Sequence, residues 1–598
     1  MSDNRQQHTE PRRHGAFRFN ALRVSVPPCV FVALVFTALG WQQPNAQGPA
    51  DTVLINGAVL TVDRTDSIAE AVAISGGKIT AVGTSAQIKA MAGPNTDVID
   101  LRGRAVTPGL IDTHVHFSAA ASLFTVDLGD ADVKSIEEVK KRIAAQVAKL
   151  KPGEWVRGRG WDEGKYAEKR YITAADLDAV APDNPVWLTH TTGHYGVGNT
   201  YALKIAEIRP STPDPPAGTI DRDTRGAPTG VFKESAMGLV SRHVPPLSRA
   251  QEKEGIAEIV RQFNREGMTG AKDPGMGATK WELYQELLKE GRLTVRVFAL
   301  WSGARRVEDK DAVLARVKAN PRQNGLAAGG MLVAGGVKMF MDGSGGARTA
   351  WMHTDWNKNL HDLDKGNVGY PSTEPDAYRQ IVTELHNAGI HVSTHAIGDR
   401  AIDWVIDTYD QALKATPARG LRHGLIHANT PTDRAIDVMA RLQRDYDAAY
   451  PESSAGFMWW IGDNYAGNFG PVRNLRMKPF QTYVRKGMQW GGSSDYPVTP
   501  FAARYGIWAS VARQTLNGTY GPKPFGTAES VDVRTALRSY TAWAARTMFL
   551  EDRVGTIEVG KDADLAVWDR NPYTVATDQL KDMRCEITLV GGRIVFRM

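Results

Sequence analysis

Two patterns of apolar and polar positions divide this chain of 598 residues. Over residues 51–106 and again over 551–598, short runs alternate apolar and polar residues, with turn dipeptides such as Asn56-Gly57 and Gly76-Gly77 between them. A period of two is typical of β-strands with one buried face, and these dipeptides favour hairpins. The segments therefore predict one small β-sandwich or barrel made from both chain ends, which requires the ends of the central domain to lie close together.

Between these segments, over residues 107–550, apolar strand-like runs alternate with amphipathic helical stretches, for example at 375–388, 400–414 and 432–444. The alternation is typical of the α/β class and predicts a (β/α)₈ TIM barrel. A doubly wound open sheet is the alternative, but no GxGxxG motif follows the first run to support dinucleotide binding. Eight runs are predicted as barrel strands: 110–116, 268–272, 294–300, 336–340, 391–395, 423–427, 445–450 and 488–493.

The interval between the first and second runs is far longer than one helix requires. A helix is predicted at 135–150, and a mixed region rich in proline and glycine follows it. We interpret residues 152–247, approximately, as a cap inserted after the first barrel strand and covering the barrel mouth. A surface elaboration without a role in the chemistry is the alternative.

The first 47 residues have the features of an export signal. A segment containing Arg12-Arg13 precedes a largely apolar run of ten residues at 30–39, and a polar exit follows at 44–47. Ten residues are too few to span a bilayer comfortably, so removal of the signal is predicted to leave no stable membrane anchor. The protein is therefore expected to be periplasmic or secreted by a bacterium, with the Sec and twin-arginine routes both open.

Composition limits the partners of the remaining chain. The net charge is +6, and without the basic first 46 residues it falls to about +3, which does not favour nucleic acid or an anionic membrane. Removing the signal also removes Cys29 and leaves Cys585, so no disulfide within the chain is expected. A small molecule is the expected partner, and a homodimer is left open.

Candidate metal ligands recur where the predicted barrel strands end. The stretch TPGLIDTHVHF at 107–117 places two histidines one residue apart, and side chains at that spacing on a strand share a face. Active-site residues of TIM barrels lie at the carboxyl ends of the strands. The residues at these ends are His114, His116, Lys338, His395, His427 and Asp495.

The motifs TPGLIDTHVHF, VKMFMDGSGGART, HAIGDRAID, HGLIHAN and GSSDYPVTPF together resemble the amidohydrolase superfamily, in particular the branch of the N-substituted formamide deformylases and related uncharacterised amidohydrolases. The resemblance extends over residues 51–598. It implies a centre of two divalent metal ions, with Zn²⁺ the expected metal. By the resemblance, His114, His116 and Asp495 bind one ion, and His395 and His427 bind the other.

Lys338 would bridge the two ions as a carboxylated lysine derived from CO₂. An ordinary lysine is a cation with a pKa of about 10.4 and repels metals, whereas its carbamate is an anionic oxygen ligand. The alternative is a buried Lys338 salt-bridged to Asp342, which would leave a site for a single ion. His114, His116, His395, His427 and Asp495 would still supply a full set of ligands.

The resemblance implies hydrolysis of a non-peptide C–N bond, in an amide or cyclic amide, by hydroxide formed at the ions. Asp495 would accept the proton of this nucleophile and pass it to the leaving nitrogen. His194, in the cap, is a candidate to hydrogen-bond the carbonyl oxygen, and a purely structural histidine is the alternative.

Aromatic residues near the predicted barrel mouth favour an apolar or aromatic substrate. Trp161, Arg348 and Trp459 are the candidate substrate-binding residues, although a salt bridge within its loop is the alternative for Arg348. The alternative activities are a lyase, a decarboxylase or an ester or lactone hydrolase on the same metal centre, because a fold does not fix the chemistry. A binding protein without turnover is the alternative from another class.

Overall fold

The computed structural model describes residues 48–117, 123–129, 132–357, 366–518 and 526–598. Apart from Gly48, these residues belong to the unit Pro49–Met598. The predicted export signal, residues 1–47, lies outside the described residues. Within the described ranges, no helix combines the length and the apolar character needed to cross a bilayer.

A sheet of eight parallel strands forms a nearly closed barrel, so the predicted α/β class and TIM-barrel fold are confirmed. Each strand pairs with the next in chain order, and the amide of Thr113 closes the ring by donating to the carbonyl oxygen of Gly492 at 3.0 Å. In chain order, barrel strands one to eight are Leu110–Asp112, Met268–Met276, Arg296–Ser302, Leu332–Phe340, Val392–Ala396, Gly424–His427, Tyr450–Ser453 and Gly491–Gly492.

The seventh barrel strand does not lie where the apolar pattern predicts it. The run at 445–450 overlaps the end of the helix Asp433–Tyr446, and the strand itself is Tyr450–Ser453. Its sequence, YPES, contains a proline and a glutamate and has no apolar run. Glu452 is tolerated inside the barrel because Lys272 Nζ lies 2.6 Å from its Oε1, so the buried charge is paired.

Amphipathic helices surround the barrel and bury their apolar faces against it. The helices predicted at 375–388, 400–414 and 432–444 are Pro375–Asn387, Asp399–Ala415 and Asp433–Tyr446. The other helices after the cap are Arg249–Arg265, Ala278–Lys289, Lys310–Ala319, Arg322–Ala327, Gly456–Trp460, Gly462–Leu475, Phe480–Arg485, Ala503–Ala512, Val533–Ser539 and Ala542–Thr547, with 3₁₀ turns at Val307–Asp309, Thr527–Glu529 and Thr577–Asp582.

Two further sheets lie outside the barrel, and one of them contains strands from both ends of the described chain. A four-stranded sheet contains Ala50–Ile55, Ala71–Ser75, Lys78–Gly83 and Ala92–Asp100. The short helix Ser85–Lys89 lies between the last two of these strands in the sequence. A six-stranded sheet contains Ala58–Leu60, Ile68–Ala69, Ala105–Pro108, Leu565–Trp568, Cys585–Val590 and Arg593–Arg597. Leu54 and Val72 share a buried cluster with Leu565 and Leu589, so both chain ends contribute to one apolar core.

The chain between the first two barrel strands forms a cap with its own six-stranded sheet. Its strands are Val126–Asp127, Val156–Trp161, Val186–His190, Tyr195–Gly198, Gly218–Arg222 and Pro228–Glu234. The helix predicted at 135–150 is Ile136–Val147, and its buried residues share a cluster with those of the cap sheet. Three shorter helices complete the cap: Ala174–Asp178, Thr200–Ile205 and Met237–Ser241.

Candidate metal centre

Three predicted ligands converge between the first and eighth barrel strands. Oδ1 of Asp495 lies 3.0 Å from Nε2 of His114 and 3.2 Å from Nε2 of His116. Ligands bound 2.0–2.1 Å from a tetrahedral ion lie about 3.3 Å from one another. The separations of Asp495 from each of the two imidazoles are therefore in the range expected for ligands of one ion.

The buried carboxylate of Asp112 holds this group in place. Its Oδ1 accepts from the amide of His114 at 3.0 Å, and both of its oxygens accept from the amide of Ser494 at 3.1–3.2 Å. The amide of Asp495 in turn donates to the carbonyl oxygen of His114 at 2.8 Å. Burial raises the pKa of Asp112 to about 7. Asp112 lies within the TPGLIDTHVHF stretch, but its role depends on a contact across the barrel that no local pattern contains.

His395 and His427 form a second pair of imidazoles. Nε2 of His395 lies 2.8 Å from the carbonyl oxygen of Gly343, and a carbonyl only accepts, so this nitrogen carries the proton. Nδ1 of His395 is therefore unprotonated, and it lies 3.0 Å from Nε2 of His427. A proton on His427 or a divalent ion bound to both nitrogens satisfies this lone pair. The Gly343 carbonyl is the kind of outer partner that fixes the tautomer of a metal-binding histidine.

Buried members of the two groups lie close to one another. The donor atoms of His114, His427 and Asp495 all lie within 4.8 Å of one another, and the three residues are buried. Burial lowers the pKa of His114 to about 3 and also holds the pKa of His395 and His427 well below the usual range. Neutral imidazole is the form that binds metals. For Asp495, burial alone would raise the pKa, but the nearby imidazoles outweigh it and keep the carboxylate ionised.

Lys338 lies on the fourth barrel strand and is almost fully buried, with 2% of its surface exposed. Its Nζ is 4.5 Å from the centre of the Phe340 ring. Burial lowers the pKa of Lys338 to about 7, while the charge of Asp495 opposes this shift. The lysine charge also contributes to the low pKa of His114 and His395, which places Lys338 within electrostatic reach of both imidazole groups.

Asp342, the alternative partner of Lys338, is hydrogen-bonded to backbone amides. Its carboxylate accepts from the backbone amides of Trp351, Ile397 and Gly398 at 2.8–3.0 Å. Burial raises the pKa of Asp342 to about 7. Among the described residues, no salt bridge joins Asp342 to Lys338.

The cap contributes His194 to the same region. The His194 ring lies 5.2 Å from the His395 ring, centre to centre. Its Nδ1 lies 3.0 and 3.1 Å from the two carboxylate oxygens of Glu234, and Glu234 also accepts from the hydroxyl of Thr349. Burial would lower the pKa of His194, but Glu234 outweighs it and raises the pKa. Sequence reasoning missed Glu234, because it lies 40 residues from His194, at the end of the strand Pro228–Glu234.

The sequence profile of the amidohydrolase family matches residues 97–596. The chain belongs to the amidohydrolase family. It is 30% identical over 553 residues to N-substituted formamide deformylase of Arthrobacter pascens, which covers 91% of this chain and 97% of that protein. The crystal structure of an uncharacterised metal-dependent hydrolase from Pyrococcus furiosus superposes with a TM-score of 0.64 at 25% identity, and the match covers 88% of this chain and 100% of that one. The corresponding structure from Pyrococcus horikoshii superposes with a TM-score of 0.66 at 26% identity, and the match covers 88% of this chain and 99% of that one.

Family membership confirms the predicted resemblance and makes the protein a metal-dependent hydrolase of C–N bonds. The structure of this amidohydrolase brings His114, His116, His194, His395, His427 and Asp495 together at one end of the barrel, with Lys338 close by. The individual roles of these residues stay predictions.

The three candidate substrate-binding residues of this amidohydrolase lie in different surroundings. Trp161 is fully buried in the cap core, where its indole N–H donates to the carbonyl oxygen of Leu188 at 3.2 Å. Arg348 is buried after the fourth barrel strand, with its guanidinium 5.9 Å from the Tyr171 ring. Trp459 packs against other aromatic rings, including Trp460 at 5.1 Å. A role in substrate binding stays a prediction for each of them.

The cap also contains a second group of metal-binding side chains, Asp162, Glu163 and His190, with donor atoms within 4.8 Å of one another. The hydroxyl of Tyr195 lies 2.6 Å from Nε2 of His190 and 2.9 Å from Oε1 of Glu163. The phenol joins His190 to Glu163, whose Nε2 and Oε2 also lie 3.2 Å apart, and this hydrogen-bond network accounts for the proximity of these two groups.

Proposed function

We propose that this amidohydrolase hydrolyses the amide or cyclic amide bond of a small molecule that carries an apolar or aromatic group. The observation that carries the proposal is the group formed by Asp495 with His114 and His116, next to the pair His395 and His427. Similarity to the N-substituted formamide deformylase of Arthrobacter pascens supports an N-acyl amine as the substrate class.

Two divalent ions, with Zn²⁺ as the expected metal, fit the donors of this site. Nε2 of His114, Nε2 of His116 and a carboxylate oxygen of Asp495 would hold one ion, and Nδ1 of His395 and Nε2 of His427 would hold the other. When bound, such ions supply a nucleophile at neutral pH, because they lower the pKa of water to about 7, and they polarise a carbonyl.

Lys338, in this proposal, would be carboxylated and would offer its carbamate oxygens as ligands to both ions. Its neutral amine forms a bond to the carbon of CO₂ and loses a proton, which leaves an anionic carbamate. The lowered pKa of Lys338, about 7, favours the neutral amine that this reaction requires. The product carries oxygen atoms suited to bridging two ions about 3.5–4 Å apart.

The remaining steps belong to side chains of this protein. Asp495 accepts the proton of the nucleophile at Oδ2, which lies 3.9 Å from Nε2 of His427, and delivers it to the leaving nitrogen. His194 donates from Nε2 to the carbonyl oxygen as negative charge develops there. Glu234 holds the other ring nitrogen and so keeps the His194 ring in this orientation.

Metal analysis combined with product analysis tests the proposal. The purified enzyme should contain about two divalent ions per chain and should release an amine from N-formyl or N-acyl amines. Asp495→Asn should lower kcat at least about a hundredfold, because the proton acceptor is lost. His353→Ala, which removes a half-exposed histidine paired with Asp403, serves as the matched control and should retain activity.

Several outcomes would contradict this function. An active enzyme without metal, or full activity in Asp495→Asn, would remove the centre from the reaction. Release of carbon dioxide or of an alcohol, without an amine from any amide, would identify a decarboxylase or an ester hydrolase on the same scaffold.

A further inference from the structure

A buried carboxamide without a hydrogen-bond partner lies beside the metal centre. Asn429 follows the sixth barrel strand, two residues after His427, and none of its surface is exposed. Among the described residues, neither its side-chain oxygen nor its side-chain nitrogen has a hydrogen-bond partner. Leaving a buried polar group unpaired destabilises a folded protein, so such groups call for an explanation.

The backbone that carries Asn429 is strained at the same place. His427 and Ala428 both have positive φ angles, 71° and 47°, which residues other than glycine rarely adopt. Backbone strain of this kind concentrates at functional sites, where surrounding contacts hold it. Here the backbone oxygen of Asn429 accepts from the amide of Lys478 at 2.9 Å, and Lys478 Nζ donates to the carbonyl oxygen of His427 at 2.8 Å.

An aromatic wall connects this carboxamide to the metal-binding histidines. The Phe457 ring stacks on the His427 ring at 5.4 Å, and the Tyr465 ring packs edge-on against Phe457 at 5.9 Å. The Tyr465 phenol lies within reach of the Asn429 side chain and within electrostatic reach of Asp495. Asn429 therefore belongs to an apolar wall next to the carboxylate proposed to move the proton.

A carboxamide is complementary to another amide, since it carries one acceptor and two donor hydrogens. We propose that Oδ1 of Asn429 accepts a hydrogen bond from the N–H of the substrate's scissile amide, so that the enzyme selects secondary, N-monosubstituted amides over tertiary amides and esters. This inference rests on the proposed function and adds the class of amide. The substrate N–H satisfies a group that is otherwise buried and unpaired.

This hydrogen bond should discriminate strongly between secondary amides and substrates that lack an N–H. A site built to hydrogen-bond an N–H rejects an analogue that lacks it, because the analogue leaves the buried acceptor unpaired in the complex. An N-methylated tertiary amide and an ester both lack that hydrogen. Wild-type enzyme is therefore expected to prefer the secondary amide in kcat/KM by at least about a hundredfold.

The test compares three compounds that share one apolar group: an N-alkyl formamide, its N-methyl analogue and the matching formate ester. Asn429→Leu removes both polar atoms at similar volume, and the preference for the secondary over the tertiary amide should fall at least tenfold. Asn429→Asp keeps an acceptor oxygen and should retain most of the preference. Metal content per chain, measured alongside, should equal that of the wild type in both variants.

A matched control is Asn387→Leu, at an exposed position where the helix Pro375–Asn387 ends before the fifth barrel strand begins. It should retain the wild-type preference. Equal kcat/KM for secondary and tertiary amides in the wild type, or an unchanged preference in Asn429→Leu, would overturn this inference while leaving amide hydrolysis intact. No hydrolysis of any amide by metal-loaded wild type would instead refute the proposed function. If Asn429→Leu does not fold, the test rests on Asn429→Asp. Loss of the preference for the secondary over the tertiary amide in Asn429→Asp would then count against the inference.

Discussion

At the residue scale, the position of single protons decides what the metal centre can do. The carbonyl oxygen of Gly343 fixes the proton of His395 on Nε2, which leaves Nδ1 free as a ligand. Glu234 likewise fixes a proton of His194 on Nδ1. In the neutral form of His194, Nε2 would then be an acceptor only, so donation to a substrate oxygen requires the imidazolium.

Glu234→Gln should therefore change the pH dependence of the reaction. Glu234 raises the pKa of His194 in the folded protein, and the imidazolium is lost as the pH rises through that raised value. Without the carboxylate the pKa falls, so kcat should begin to decline at a lower pH and be about tenfold to a hundredfold reduced on the alkaline side. Profiles of kcat against pH measure this shift. Glu234→Asp, which keeps the charge, should preserve the wild-type alkaline limb, and coinciding limbs for all three proteins would exclude the role.

Lys338→Ala tests the bridging carbamate. Loss of an anionic bridging ligand should reduce activity at least about a hundredfold, and short carboxylic acids should restore part of it by supplying oxygen ligands in the vacated space. Carbon-13 NMR of wild type in labelled bicarbonate should show a carbamate carbon that the variant lacks. Lys141→Ala, at a side chain that is 63% exposed on a cap helix, is the control and should keep full activity. Normal turnover by Lys338→Ala would remove this lysine from the centre.

At the element scale, periodicity located the four helices that were predicted by position and most barrel strands, but not the seventh barrel strand. Apolar runs predict strands whose two faces both meet apolar neighbours. Tyr450–Ser453 instead directs Glu452 into the barrel, where Lys272 of the second strand and Ser393 of the fifth bind it. Because a buried ion pair holds this strand, its sequence has no apolar run. The strand could therefore not be recognised without knowing that Lys272 and Ser393 contact it.

This buried pair predicts a stability effect. Glu452→Gln leaves the ammonium of Lys272 buried without its counter-charge, and breaking such a pair costs about 3–5 kcal/mol. The midpoint of thermal unfolding should fall by several degrees. Glu138→Gln, which breaks the exposed pair between Glu138 and Lys141, should leave the midpoint unchanged because water screens that pair. Equal midpoints for wild type and Glu452→Gln would show that the pair contributes little.

At the scale of the whole molecule, strands from both chain ends form one layer beside the barrel. Ala105–Pro108 leads into the first barrel strand, and it pairs antiparallel with Leu565–Trp568 from the other end of the chain. A bidentate ion pair from Arg296, on the third barrel strand, to Asp564 ties the barrel to this layer. All of these contacts lie within the unit Pro49–Met598.

We propose that residues 1–47 direct export and are then removed. Deleting them should leave an active enzyme in the cytoplasm, because the metal centre lies entirely in the remaining chain. Cell fractionation with activity and metal assays measures this. Replacing Arg12 and Arg13 together by lysine distinguishes the routes, since the twin-arginine route requires the pair. Export of the shortened chain would show that the signal lies elsewhere.

The sequence by itself determined the barrel, the chain-end strands, the family and the candidate ligands. The barrel and the chain-end strands depend on local periodicity, the candidate ligands on where strands end, and the family on the resemblance of short motifs. All of these are properties of neighbouring residues. The tertiary structure alone decided which groups meet across long separations: Asp112 and Ser494 are 382 residues apart, and Glu234 and His194 are 40 apart. It also decided that Trp161 is enclosed in the cap core and that, within the part of the chain that the structure describes, the carboxamide of Asn429 is buried without a hydrogen-bond partner. Burial and hydrogen bonding depend on every surrounding element, so no stretch of sequence specifies them alone.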